Sequence, residues 1–342
     1  MINSAIVGLG WWGQTLVEGV SGQSDKIRFT AGVTRSSSDT AREFADAHGF
    51  ALRTSLDDVL ADDSVDALVL VTPNSLHADQ VVAAAEAGKH VFCEKPLALT
   101  QADAQRAVDA ADKAGVVVAV GYNRRLHPEM LQLKKRIESD ELGVILHVES
   151  TMAFPNALYL EPGQWRANKE EAPCGGLMPM GVHAIDGMID LCGAIDEVYA
   201  QSFRRIIKVD ADDTTSILFR MSEGTSGYLG TMTATGGTFS FQVFGSKGYV
   251  RLEGKTHEAG ASSEERRAQL FENCIFKPVK GPAETWQAEP FDLTRAALEA
   301  FAEASMGERP HPIPPTELVH GVAVTEAIVK SASTNRPEKI QA

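Results

Sequence analysis

Hydrophobic and polar positions follow one pattern up to about residue 122. Short apolar runs alternate there with longer amphipathic stretches, and the runs are SAIVGLG (4–10), RFTAGVT (28–34), DALVLVTP (66–73), KHVFCEKP (89–96) and VVVAVGYN (116–123). Strands that alternate with helices are typical of a parallel, doubly wound sheet. Because the crossovers are right-handed, the carboxyl ends of all these strands should meet at one sheet edge, where ligands bind.

Beyond residue 122 the pattern changes. A helix-like segment at 127–143 precedes a strand-like run at 144–154, and five further strand-like runs without helices between them lie at 197–206, 214–221, 226–235, 238–246 and 248–254. Successive strands without helical crossovers indicate a mostly antiparallel sheet. We therefore predict an α/β chain with an N-terminal doubly wound parallel sheet and a C-terminal α/β domain built on a large open, mostly antiparallel sheet.

The length of 342 residues is typical of two domains. We place these domains at 1–122 and 123–342. The last helix, at about 316–334, can pack back toward the first domain.

Composition and charge narrow the class of protein. The formal net charge is −14, which opposes binding to nucleic acid or to an anionic membrane. The start of the chain lacks the pattern of a signal peptide, and no apolar run reaches the roughly 18 residues that a membrane span requires. The four cysteines are widely separated and form no CxxC pair, so we expect reduced thiols, no metal site and a cytoplasmic location.

A glycine-rich turn follows the first predicted strand. Gly8, Gly10 and Gly13 form a GxGxxG pattern between a strand and a helix, which is the context of a dinucleotide-binding fingerprint. The glycines permit a tight turn and a close backbone approach, and the helix N-terminus can hold a pyrophosphate. Trp11 and Trp12 belong to the same turn and are grouped with the cofactor side, although packing beside the cofactor or a domain interface explains them better than phosphate binding does.

The end of the second strand bears on the choice of cofactor. NAD-binding proteins usually carry a carboxylate near this point for the adenosine ribose, but this chain has Thr34, Arg35 and Ser36. A guanidinium and hydroxyls suit a 2′-phosphate, so the sequence favours NADP over NAD. The alternative is that Arg35 stacks on the adenine or points to solvent.

Two charges and a proline follow the predicted strand at 89–93. Lys95 would lie on the ligand-binding edge of the sheet, between Glu94 and Pro96. The peptide bond between Lys95 and Pro96 can be cis, as an X–Pro bond. A lysine beside a nicotinamide can transfer a proton when its pKa is lowered. For an isolated EKP tripeptide, a surface lysine in a turn would be the better interpretation.

Several longer motifs make the sequence similar to a known family. AIVGLGWWG at the start, VTPNSLHADQVVAAAEAGKHVFCEKPLAL in the middle, VGYNRR, GGLMPMGVHAID and EAIVKSA resemble the glucose–fructose oxidoreductase and inositol dehydrogenase (Gfo/Idh/MocA) family over nearly the whole chain. The resemblance implies a Rossmann domain and a second α/β domain with an open sheet. It also implies hydride transfer between NAD(P) and a carbinol or ketone carbon of a sugar, polyol or related cyclic compound, in a homodimer or homotetramer.

The resemblance also assigns roles to single residues. It implies that Lys95 transfers the proton and that His183 contacts the reacting hydroxyl, so these two are the catalytic candidates. Asn123 is implied to neighbour both cofactor and substrate. The remaining residues implied on the cofactor side are Thr72, Pro73, Asn74, His77, Glu94, Trp165 and Arg166.

One position departs from the family pattern. Many members have Asp four residues before the histidine, on the same helix face, whereas this chain has Pro179. Asp186, three residues after His183, could lie on that face or could be a helix-stabilising charge. Two further functions stay open: a dehydrogenase of cis-dihydrodiol-type rings, and a catalytically impaired NAD(P)-binding sensor or partner protein, which Pro179 favours.

Overall fold

The computed structural model describes residues 1–35, 38–255, 261–269 and 271–340. The chain forms two compact units, the first made of Met1–Asn123 and Asp292–Val322 and the second of Arg124–Phe291 and Ala323–Ala342. The division into two functional domains at 1–122 and 123–342 stays a prediction.

The first unit is built on a six-stranded parallel sheet with the strand order β3-β2-β1-β4-β5-β6. Its strands are β1 (Ile2–Val7), β2 (Ile27–Val33), β3 (Ala51–Arg53), β4 (Ala67–Leu70), β5 (His90–Cys93) and β6 (Val118–Val120). Its helices are α1 (Trp11–Val20), α2 (Asp39–His48), α3 (Leu56–Leu60), α4 (His77–Glu86), α5 (Gln101–Ala114) and, later in the chain, α9 (Leu293–Ser305). This arrangement confirms the predicted doubly wound sheet.

Local sequence explains where several of these elements begin and end. The residues of β4 are all buried, as a central strand covered on both faces requires. Thr100 caps the N-terminus of α5, because its side chain accepts a hydrogen bond from the Asp103 amide. Gly49 and Gly115 end α2 and α5 in the left-handed conformation, at φ 71° and 68°.

The second unit is built on a nine-stranded sheet with the strand order β15-β14-β12-β11-β7-β10-β9-β8-β17. Its strands are β7 (Ile145–Ala153), β8 (Ile195–Phe203), β9 (Thr214–Met221), β10 (Ser226–Met232), β11 (Thr238–Gly245), β12 (Gly248–Gly254), β14 (Phe271–Pro278), β15 (Glu284–Trp286) and β17 (Glu338–Lys339). Only β7 and β10 pair in parallel among these strands, so the predicted mostly antiparallel sheet is confirmed. The other elements are α6 (Pro128–Glu138), α7 (Val182–Cys192), α8 (Ser263–Arg267), the two-residue strands β13 (Ala268–Gln269) and β16 (Phe291–Asp292), and α10 (Pro315–Thr334), which continues from the first unit into the second.

The two faces of the nine-stranded sheet differ. One face is buried, with alternate residues such as Val148, Ile217 and Phe241 in the core. The opposite face carries a row of Tyr199, Leu218 and Tyr228 across β8, β9 and β10, and the row continues into Glu149, Gln242 and Arg251. This face therefore mixes aromatic and aliphatic side chains with polar and charged ones.

Two further observations concern the chain as a whole. Among the described residues, no helix is both long and apolar enough to cross a membrane. The four cysteines are buried free thiols, and burial raises the pKa of Cys174, Cys192 and Cys274 to about 12.

Candidate functional site

The glycine turn lies where β1 ends and α1 begins. Gly8 has a φ of +106°, and a Cβ at this position would lie 2.4 Å from the Val71 carbonyl oxygen. A Cβ on Gly13 would lie 2.0 Å from the Gly8 carbonyl oxygen. These two glycines are therefore required by the turn itself and by the packing of α1 against it.

Gly10 has a different environment. It is exposed, precedes the first residue of α1, and has no atom within 4 Å of where a Cβ would stand. Open space at the second glycine, directly before a helix N-terminus, is what a pyrophosphate that approaches the backbone needs. The turn thus fits a dinucleotide. Trp11 is 54% exposed and makes an edge-to-face contact with Trp12, at a ring-centroid distance of 5.4 Å.

The two glycines predict different outcomes on substitution. We expect Gly13→Ala to lower the free energy of unfolding by about 1–3 kcal/mol, because the new Cβ overlaps the Gly8 carbonyl. Gly10→Ala should leave stability unchanged but weaken cofactor binding, because its methyl group enters open space. Thermal unfolding and cofactor titration of both variants separate the two effects. A Gly13→Ala protein with the melting temperature of the parent would contradict this account.

Arg35 lies just after the carboxyl end of β2 and is exposed, and Thr34 beside it is half-buried. The first acidic residue after this strand end is Asp39, which begins α2 and pairs with Arg42 at 2.9 Å. No carboxylate therefore takes the usual place of the ribose ligand among residues 34, 35 and 38. Ser36, the third residue predicted here, lies outside the described residues.

His77 links two segments of the sheet edge. Its ring is buried, with Nδ1 2.7 Å from the Pro96 carbonyl oxygen and Nε2 2.9 Å from the Thr72 carbonyl oxygen. The side chain thus connects the loop after β4 to the turn after β5. The nearby Thr72 hydroxyl donates a hydrogen bond to Gln80 on α4 at 2.6 Å. Pro73 precedes a 3₁₀ turn, Asn74–Leu76, in which Asn74 is buried.

The Glu94–Lys95 pair lies where β5 ends. Glu94 is 8% exposed, and a Cβ on Gly121 would lie 2.9 Å from its Oε1 atom, so Glu94 fills the space beside the end of β6. The Lys95 amide donates to Glu94 Oε2 at 3.3 Å, and the Lys95–Pro96 peptide bond is cis. Lys95 is partly exposed, whereas the carboxylate before it is buried. Asn123 begins the 3₁₀ turn Asn123–Leu126 that follows β6.

These residues share one edge of the first unit. Val71 follows β4 and touches the Gly8 turn, while β5 and β6 are the next strands in the sheet. The structure thus brings the glycine turn, the loop at 72–77, Glu94, Lys95 and Asn123 to the carboxyl ends of neighbouring strands. In open α/β sheets this is the edge that binds ligands.

In the second unit, His183 is the second residue of α7. The preceding residues Leu177–Gly181 form a π-helical turn, in which the Gly181 amide donates to the Gly176 carbonyl at 3.0 Å. Pro179 lies in this turn, so the four-residue spacing to His183 does not follow α-helical geometry. π-Helical turns are frequent at functional sites.

Asp186 has a clear structural contact. Both of its carboxylate oxygens accept hydrogen bonds from Arg125, at 2.8 Å each, and both side chains are buried. Arg125 also donates to Asp190 at 3.1 Å. Of the two roles left open for Asp186, a stabilising charge is the one that this ion pair favours. Sequence reasoning missed Arg125, whose partner lies far along the chain.

Trp165 and Arg166 lie in the 3₁₀ turn Trp165–Ala167, and the Arg166 guanidinium stacks on the Trp165 ring at 4.1 Å. Arg166 is exposed. Among the described residues, no group of three or more His, Cys, Asp or Glu residues could hold a metal ion.

Comparisons with known proteins agree with this geometry. Residues 2–122 match the family model described as an oxidoreductase family with an NAD-binding Rossmann fold, and residues 130–251 match the GFO/IDH/MocA C-terminal domain. The uncharacterized oxidoreductase YrbE of Bacillus subtilis is 30% identical over 260 residues, which cover 72% of each chain.

The chain belongs to the Gfo/Idh/MocA family. As a member of this family it is an NAD(P)-dependent oxidoreductase that acts on CH–OH groups. The D-xylose 1-dehydrogenase (NADP(+)) 2 of Haloferax volcanii is 29% identical over 307 residues, which cover 87% of this chain and 88% of that one. The structure of levoglucosan dehydrogenase in complex with NADH and levoglucosan has the same fold, with a TM-score of 0.85, 22% identity and full coverage of both chains.

Proposed function

We propose that the protein is an NADP-preferring dehydrogenase or reductase of a sugar, polyol or related cyclic compound. The observation that carries the proposal is the shared sheet edge, where the glycine turn after β1 and Lys95 after β5 are separated only by β4. Neighbouring strands are about 4.8 Å apart, so the two features lie within the span of one dinucleotide. The D-xylose dehydrogenase relative supports a sugar-like substrate.

Each candidate residue has a role in this proposal. A bound nicotinamide supplies or accepts the hydride. Lys95 exchanges a proton with the reacting hydroxyl, and His183 binds and polarises that hydroxyl. Glu94 supports the Lys95 backbone, and His77 holds the turn after β5 against the loop after β4. Asn123, at the next strand end, contributes to binding cofactor and substrate.

Two alternatives remain distinct from this proposal. A cis-dihydrodiol dehydrogenase would use the same residues on a non-sugar ring. A sensor that binds NADP without chemistry is favoured by Pro179, which has no carboxylate, and opposed by the intact Glu94–Lys95–Pro96 turn. Pure protein mixed with NADP and a panel of polyols and cyclic diols separates these functions, because only an enzyme produces reduced cofactor.

Arg35 provides a test of cofactor choice. We expect NADP to bind more tightly than NAD, and Arg35→Asp to reverse this order, because a carboxylate repels the 2′-phosphate and can accept hydrogen bonds from ribose. Arg28→Asp is the matched control, since Arg28 is exposed at the opposite end of the same strand. Equal affinities for both cofactors, unaffected by Arg35→Asp, would refute the assignment.

Assembly through the nine-stranded sheet is a separate prediction. We propose a homodimer or homotetramer that covers the mixed face around Leu218, which is 54% exposed. Leu218→Glu should then yield monomers in light scattering, whereas Leu131→Glu, at a 44% exposed position on α6, should not. A parent protein that is monomeric at micromolar concentration would rule this out.

A further inference from the structure

Arg124 is a cation in an unusual environment. Its guanidinium lies over the Phe239 ring at 4.4 Å, and its Nη1 atom is buried without a hydrogen-bond partner among the described residues. Burial alone lowers the pKa of Arg124 to about 10, so the group stays charged at neutral pH. Aromatic stacking satisfies one face of a guanidinium, but its N–H groups still need acceptors.

Neighbouring arginines show what Arg124 lacks. Arg125, the next residue, binds Asp186 and Asp190. Arg136 also lies over an aromatic ring, that of Phe276, yet it pairs with Glu141 and Glu284, each at 2.8 Å. The chain has 46 acidic residues, yet none of the ion pairs among the described residues includes Arg124. Arg124 is partly exposed, but its buried Nη1 atom meets no acceptor among the described residues, and this points to an acceptor from outside the chain.

The sheet places Arg124 close to the start of α7. Phe239, Met152 and Thr231 are in register across β11, β7 and β10 on the buried face. Phe239 and Thr231 are thus two strands apart, at about 10 Å. The π-helical turn lies on Thr231, because a Cβ on Gly181 would be 3.3 Å from its Cγ2 atom.

The chain also links Arg124 to α7 through the next residue, Arg125. Arg125 follows Arg124 and binds Asp186, which lies one helical turn after His183 on α7. Arg124 also comes directly after Asn123, which begins the 3₁₀ turn that follows β6. A ligand oxyanion beside Arg124 would therefore lie near the residue proposed to hold the reacting hydroxyl.

We propose that Arg124 binds an oxyanion of the substrate, so that the substrate is an acidic sugar or polyol rather than a neutral one. The inference rests on the proposed function, because it concerns the substrate of that same site. A carboxylate and a phosphate ester share this chemistry, and guanidinium binds either through paired N–H donors. The net charge of −14 makes a local cation all the more necessary for an anionic substrate.

Matched acidic and neutral compounds test the proposal. Full-length protein saturated with NADP is titrated calorimetrically with D-glucose, D-gluconate, D-glucuronate and D-glucose 6-phosphate. We expect at least one acidic compound to bind at least tenfold more tightly than glucose, with gluconate and glucuronate reporting on carboxylate and the ester on phosphate. In Arg124→Met this preference should vanish, in Arg124→Lys it should fall in part, and in the surface control Arg220→Met it should persist.

Two further measurements separate binding from structure. The melting temperature of ligand-free Arg124→Met should equal or exceed that of the parent, because a buried, unsatisfied N–H group is removed and no ion pair among the described residues is broken; a marked decrease would indicate a structural role and overturn the proposal. The NADP dissociation constant should stay within about twofold of the parent value, and a larger loss would assign Arg124 to the cofactor instead. A parent protein without acid preference, including one that binds none of the acids, also overturns the inference. Failure of the parent to bind NADP would instead refute the proposed function.

Discussion

Replacing Lys95 with alanine is expected to lower turnover by about 10²–10⁴-fold, the usual contribution of a general acid or base. The residue follows β5 at the ligand-binding edge, and its backbone is held by the buried Glu94. Loss of the amine removes the proposed proton carrier but leaves the glycine turn intact, so NADP affinity should change little. The pH profile of turnover should also lose one ionisation in this variant.

Two comparisons make the Lys95 experiment specific. Lys113→Ala, which changes an exposed lysine in the last turn of α5, should retain full turnover. His183→Ala should reduce turnover less than Lys95→Ala and should also weaken substrate binding, because the imidazole is proposed to orient the hydroxyl. Near-normal activity of Lys95→Ala with a verified substrate would remove Lys95 from the acid–base role.

Asp186→Ala is expected to lower the free energy of unfolding by roughly 3 kcal/mol, the lower end of the range for breaking a buried ion pair. The substitution removes a bidentate partner of Arg125 and leaves the guanidinium buried, with Asp190 still in contact. Because α6 and α7 pack together in the second unit and Lys134 on α6 also binds Asp190 at 2.7 Å, the loss should destabilise this helix pair.

A charge-matched variant and a double replacement sharpen this stability test. Asp39→Ala, which breaks an exposed pair with Arg42, should cost no more than about 1 kcal/mol. Replacing Arg125 by Met and Asp186 by Leu together should recover much of the loss, because no charge then stays buried alone. If Asp186→Ala were as stable as the parent in chemical denaturation, the ion pair would not be structural.

How much of the fold the sequence predicts depends on how clearly each strand or helix shows in the pattern of hydrophobic residues. β1, β2, β4, β5 and β6 are evident because each is a mostly apolar run next to a helical stretch, as in parallel sheets covered on both faces. β3 has only three residues, and α9 follows a stretch of irregular sequence, so neither is evident from the pattern. β14, β15 and β17 are not among the predicted strands, and β17 has only two residues, which pair with β8 far earlier in the chain, so no local periodicity reveals it.

The site shows the same division between local and distant information. The glycine turn and the Glu94–Lys95 turn are local motifs, and their positions at strand ends follow from the alternating pattern. The contacts of His77 with two carbonyl groups depend on segments 5 and 19 residues away. The Arg125–Asp186 pair joins residues 61 apart, and the π-helical turn at Pro179 replaces an expected α-helical one. Such features follow from tertiary placement.

The most direct test of the central claim is hydride transfer itself. Purified protein with NADP is mixed with a panel of sugars, polyols and sugar acids, and the absorbance of the reduced nicotinamide is followed for the parent and for Lys95→Ala. We predict that the parent reduces NADP with at least one carbinol in the panel and that Lys95→Ala does so at least about a hundredfold more slowly. A parent protein that binds NADP but reduces none of it, or a Lys95→Ala variant as fast as the parent, would contradict the account.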